Sequence, residues 1–72
     1  MNITMHPPSK ESSLIKQIGH DGLETLAIEF QNGDLWHYSP VPQIEFSLMQ
    51  QAASAGKYFH AHIKGKYQAV KQ

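Results

Sequence analysis

Cysteine is absent from this 72-residue sequence, and so is arginine, all six basic residues being lysines. Without cysteine, neither a disulfide nor a thiolate-bound metal can staple so short a chain. That suits a reducing cytosol, and a cytoplasmic location is the expectation. Without arginine, the chain lacks the planar fork that grips carboxylate, phosphate or guanine through two parallel bonds. Any anion contact must come from lysine, histidine or backbone. Long apolar runs are missing too: nothing approaches the ~18 residues that would cross a bilayer, so no membrane partner is expected. The stretch from Met1 to Lys10 has no apolar core of the kind a signal peptide needs, and residues 1–11 read as a flexible tail. Excess charge is also lacking, since six acids balance the six lysines. A net-neutral chain does not coat itself in nucleic acid.

What remains is enough for one domain. At this length a chain buries only about 60% of the surface its unfolded form exposes, so the margin of stability is thin. Leu23 to Phe30 alternates, with Leu26, Ile28 and Phe30 on one side and Thr25, Ala27 and Glu29 on the other. This is the period of a half-buried strand. Ser13 to Ile18 reads as a shorter strand before it, and Leu35 to Tyr38 as the returning strand after Gln31-Asn32-Gly33-Asp34. A two-residue Asn-Gly loop would pair Phe30 with Leu35. A three-residue loop closed by a left-handed glycine pairs Ile28 with Trp36 and Leu26 with Tyr38. The second register is preferred because it sets both aromatics on the apolar face, with Gly33 at positive φ. Slipping by one would expose that whole face.

Ser39-Pro40-Val41-Pro42 ends the sheet, since neither proline donates to a ladder. Pro42 suits the first turn of a helix. Ile44, Leu48 and Ala52 form its expected buried stripe, flanked by Val41 and Met49, with Gly56 as its cap. Phe59 and Ile63 stack in a second short helical segment ended by Gly65. The expected fold is therefore α+β: a three-stranded antiparallel meander, one helix and a second short helical segment. Residues 12–67 make the domain, and residues 68–72 a C-terminal tail.

Several fragments fall in a recognisable order: Ser12-Ser13, Ile18-Gly19-His20-Asp21, Phe30 with Gly33, Trp36-His37-Tyr38 and Val41-Pro42. Ala53-Ser54 with Gly56, Tyr58-Phe59, and Ile63 with Tyr67 complete the set. This order resembles the KTSC family, short domains named after the C-terminal region of some lysyl-tRNA synthetases and also found as free-standing bacterial proteins. The resemblance implies a domain without an assigned activity, and RNA binding through its attachment to a synthetase. The family's Tyr-x-Tyr motif maps onto Trp36 and Tyr38, so its first aromatic is altered here. His20 stands where the family usually has tyrosine, and His60 where it has asparagine.

The five histidines, His6, His20, His37, His60 and His62, do not read as a metal centre. His60 and His62 diverge on a helix, and a site needs three or four convergent ligands. Neither a metal nor another cofactor is expected. No serine sits in a nucleophile elbow, and Asp21 and Glu24 come without an apolar pocket, so no enzyme is expected. Ser54 reads as a capping residue.

Charge is divided along the chain. Residues 17–56 carry Asp21, Glu24, Glu29, Asp34 and Glu45 and no lysine, whereas residues 57–72 carry Lys57, Lys64, Lys66 and Lys71 and no acid. The basic end interleaves lysine with Tyr58 and Tyr67. That is the composition of a surface meeting single-stranded or looped RNA by phosphate contact and stacking. Trp36 and Tyr38 are its possible stacking platform if the sheet leaves them open, and core residues otherwise. The other expectation is a protein-interaction module docking through its acidic hairpin or an open sheet face.

Overall fold

The structure, a computed structural model, describes residues 3–72. It contains a four-stranded antiparallel sheet in the order β1 (Ile15–His20), β2 (Leu26–Phe30), β3 (Leu35–Ser39) and β4 (Gln68–Lys71). Helix α1 spans Gln43–Gln51, and α2, Ala55–Tyr58, runs into a wide helical turn, Phe59–Ile63. Phe59, Ile63 and Met49 pack on the same side of the sheet as Ile18, Leu26 and Ile28, making one core. No helix among the described residues is long and apolar enough to cross a membrane.

The hairpin has the three-residue turn. Ile28 faces Trp36 and Leu26 faces Tyr38. The Gly33 N–H donates to the Phe30 carbonyl, and the Phe30 N–H to that of Asp34, both at 2.9 Å. Gly33 has φ +95°, where a side chain would strain the backbone. At the entrance to β2, the Asp21 carboxylate accepts from the N–H groups of Leu23, Glu24 and Thr25 at 2.8, 3.0 and 3.1 Å. These bonds hold its pKa below the ordinary value.

Three expectations are corrected. The sheet has four strands, not three: Gln68–Lys71, read as a tail, pairs with β3 so that Tyr38 meets Ala69 and Trp36 meets Lys71. All four of its residues are exposed, so no apolar alternation marks it in the sequence. The buried face of α1 is also rotated. Val41 is fully buried, and its N–H donates to the Glu24 carbonyl at 2.7 Å. This anchor sets the helix phase, bringing Glu45 and Met49 inward at successive fours and leaving Ile44 60% and Leu48 47% exposed. Finally, α1 ends at Gln51 with Ala52 as its cap, and Gly56 lies inside α2, where it packs under Leu14. Ser54 caps α2 as expected, its hydroxyl accepting from the Lys57 N–H at 3.2 Å.

Residues 3–11, read as part of a tail, have defined partners. His6 and Ile18 exchange backbone hydrogen bonds of 2.7 and 2.8 Å, on the outer edge of β1. Pro8 is buried, and the Ser9 N–H reaches the Gln50 carbonyl. The segment also crosses β1 at Gly19, where an added Cβ would come within 2.5 Å of the Thr4 carbonyl oxygen. A strand glycine commonly marks such a close backbone approach.

Candidate nucleic-acid interface

The sheet's apolar face is not roofed along its whole length. Phe59 and Ile63 pack on it with Ile18, Leu26 and Ile28, and toward β4 a cleft of about 410 Å³ opens. That size lies within the ~300–1,000 Å³ range of small-molecule sites. Its floor comes from Phe30, Tyr38 and Phe59. Phe59 meets Phe30 edge-on at 5.4 Å between ring centroids, and Tyr38 at 5.6 Å. Half-buried Trp36 and Tyr67 form its sides, and exposed His60 and Lys64 stand at the rim.

The local sequence explains this arrangement. The Lys64 N–H donates to the Phe59 carbonyl five residues back, at 2.8 Å, which widens the last helical turn. Phe59 and Ile63 are thereby both buried, while Lys64 is exposed. Gly65, at φ +77°, then reverses the chain so that Tyr67 faces back over the cleft before β4 begins. Sequence reasoning placed the aromatics of β3 on this face. It did not anticipate that Tyr67 would close the cleft, because β4 itself was not expected.

Of the seven residues expected at a nucleic-acid surface, the fold gathers Trp36, Tyr38, Lys64 and Tyr67 around the cleft. Tyr38 is only 6% exposed, so it is floor and not platform, whereas Trp36 keeps an accessible surface. Lys66 is exposed in the turn between them. Lys57 and Tyr58 line a separate, shallower groove with Ala53 and His62. There the Tyr58 and His62 rings lie 4.4 Å apart, tilted by 33°.

The hydroxyls of Tyr58 and Tyr67 both donate to Glu45, the first to Oε1 and the second to Oε2 at 3.2 Å. Burial, reinforced by this carboxylate, pushes Tyr58 up to about 12 and raises Tyr67 as well. Burial alone raises Tyr38. Each phenol therefore holds its proton more tightly in the folded state. Their contribution to stability is complete below about pH 10, where the unfolded phenol is also protonated, and is lost as pH rises toward 12. Urea midpoints measured from pH 8 to 11.5 are expected to fall above pH 10. The fall should be shallower in Tyr58→Phe; an identical slope would remove the tyrosine as its cause.

Three acids of the hairpin region have internal partners. Glu29 accepts from Gln17 Nε2 at 2.6 Å, Asp34 pairs with Lys71 Nζ at 3.6 Å, and Asp21 is saturated by backbone. His20 has partners of its own. Its Nδ1 accepts from the Gly22 N–H, which leaves Nε2 to donate to the Val41 carbonyl at 2.6 Å. No group of three or more His, Cys, Asp or Glu side chains among the described residues is arranged to hold a metal ion.

A meander with one aromatic cleft beside its last strand defines a small α+β domain of a particular build. The chain belongs to the KTSC domain family, whose model matches residues 11–67. It is similar to a KTSC domain protein from Yersinia pestis of known crystal structure, at 32% identity and a TM-score of 0.87, covering 99% of each chain. It is 38% identical over 58 residues to the lysine–tRNA ligases of Trichormus variabilis and Nostoc punctiforme, a match spanning 79% of this chain. That stretch is 10% of each ligase.

Proposed function

We propose that the domain binds single-stranded or looped RNA, seating one unpaired base in the cleft between Trp36 and Tyr67. The observation that carries this reading is the cleft itself, with aromatic sides and a lysine at its rim. Base-on-aromatic stacking contributes roughly 1–3 kcal/mol per base and tolerates any base, because every base has a π face. Lys64 and Lys66 supply phosphate contacts without sequence reading, as no arginine fork is present. Similarity to one segment of lysine–tRNA ligases supports the same class of ligand. With two or three phosphates neutralised, the salt slope is about −2 and the affinity micromolar or weaker near physiological salt.

Trp36 is the sole tryptophan, so its emission reports the cleft directly. Titrating a labelled RNA hairpin at low salt is expected to raise anisotropy and quench Trp36 together. Lys64→Ala with Lys66→Ala should weaken both signals. No binding up to several hundred micromolar, or binding indifferent to these two lysines, ends the reading.

A second reading, docking to another protein, is favoured by the exposed apolar pair Ile44 and Leu48 on α1 and by Val70 on β4, 56% exposed. It shifts the docking surface away from the hairpin, whose Glu29 and Asp34 are engaged. Binding that barely changes with salt would distinguish it.

A further inference from the structure

Glu45 lies on α1, away from the cleft lining, yet its carboxylate joins three parts of the molecule. One oxygen accepts from Tyr58 of α2, the other from Tyr67 in the turn before β4. Tyr67 needs such a tether. It follows Gly65 and Lys66 in an exposed turn, is only half-buried itself, and leads into a strand exposed at every residue. Its ring packs against the core from one side, and apolar contact is non-directional. A hydrogen bond to an ionised acceptor is directional and stronger than one between neutral groups. Tyr58 has a firmer seat, its ring lying against His62 and its backbone within a helix capped by Ser54. Glu45 thus connects a phenol carried on a helix to one carried on an exposed turn.

We infer that Glu45 is a positioning residue for the cleft: it aims the Tyr67 ring as the wall opposite Trp36, without touching what the cleft holds. The mechanism is preorganisation, in which a wall already in place loses no freedom when the ligand arrives. The inference rests on the RNA reading for its effect on binding, but not for its effect on the cleft itself.

The opposite expectation follows if Glu45 acts only through its charge. A carboxylate bonded to Tyr67 at the edge of the cleft repels phosphate, so neutralising it would tighten RNA binding. Positioning predicts the reverse, and the sign separates them. The experiment compares wild type with Glu45→Gln, Glu45→Ala and Tyr67→Phe in three measurements. Acrylamide quenching of Trp36, made without ligand, is expected to increase in Glu45→Ala and Tyr67→Phe. Ultraviolet titration of the phenols should show their raised pKa values returning toward the ordinary value in Glu45→Ala. Affinity for a labelled RNA hairpin should fall about three- to tenfold in Glu45→Ala and Tyr67→Phe, the worth of one net hydrogen bond. Glu45→Gln, keeping one acceptor oxygen, should fall between.

Should Glu45→Ala unfold, Tyr67→Phe carries the same comparison, having lost only a hydroxyl. Unchanged Trp36 quenching in Tyr67→Phe, or tighter RNA binding by Glu45→Gln, overturns the inference. If wild type binds no RNA, the functional proposal fails, and the quenching and titration measurements still decide what Glu45 does.

Discussion

Phe59→Ala is expected to remove about 3–5 kcal/mol of stability, the range for emptying a buried aromatic site. For 72 residues the whole stability is of order 4–11 kcal/mol, so the variant should forfeit a large share of it. Phe59 is 5% exposed, and its ring touches Phe30 and Tyr38 edge-on, a geometry that adds to simple area burial. It also sits at the start of the wide turn, where it brings the floor of the cleft under the sheet's open end. Urea denaturation followed by circular dichroism gives the loss directly. A change under 1 kcal/mol would mean that the cavity collapses and that Phe59 is no keystone. Phe59→Leu should keep the fold, since it retains most of the apolar volume. It should still widen the cleft floor, which makes it the better variant for binding work.

Gly19→Val has the second large expected effect, by a different route. Nothing need be wrong with the backbone of β1 in this variant. The obstacle is the crossing segment: the first carbon added at Gly19 meets the Thr4 carbonyl at 2.5 Å, Ile3 Cγ2 at 2.7 Å and Met5 Sδ at 2.9 Å. A backbone oxygen cannot rotate away as a side-chain tip can, so residues 3–5 must lift. The cost is then bounded by what that segment contributes, its two hydrogen bonds with Ile18 and the burial of Pro8. Overpacking of this kind costs about 1–3 kcal/mol. A double-mutant cycle tests the attribution. In a chain shortened by residues 1–8, Gly19→Val should cost little more than Gly19→Ala. An undiminished penalty there would place the clash within the sheet.

The hairpin was legible because two independent signals coincide in it. The alternation from Leu26 to Phe30 names the buried side, and setting both Trp36 and Tyr38 on that side selects the three-residue turn over the two-residue one. Together they place Trp36 and Tyr38 correctly across from Ile28 and Leu26. Helix α1 was legible in extent but not in phase. Ile44, Leu48 and Ala52 are as well spaced for burial as Val41, Glu45 and Met49, and by hydropathy they look better. The choice is made by Val41, which is pinned to the Glu24 carbonyl, a contact that no periodicity encodes. Strand β4 carries no local signal at all, because it is exposed on both sides and owes its form to the free edge of β3. The candidate site inherits this division. Its β3 aromatics and Tyr67 were visible as candidates, whereas Glu45 and its bond to Tyr67 were not, since the two meet only after the chain has turned back at Gly65.

The pairing of His6 with Ile18 also bears on how copies of this chain can meet. An unpaired strand edge is a template for another strand, and sheets that offer two such edges can stack end to end without limit. Here the middle of the outer edge of β1 is already hydrogen-bonded to the chain's own residue 6. Among the described residues, β4 presents an outer edge whose backbone groups face no neighbouring strand. Because Gln72 donates to Leu35, the alternate residues Ala69 and Lys71 direct theirs outward. Edge-to-edge pairing through β4 would therefore join two copies, whereas pairing along β1 would have to displace the chain's own residue 6.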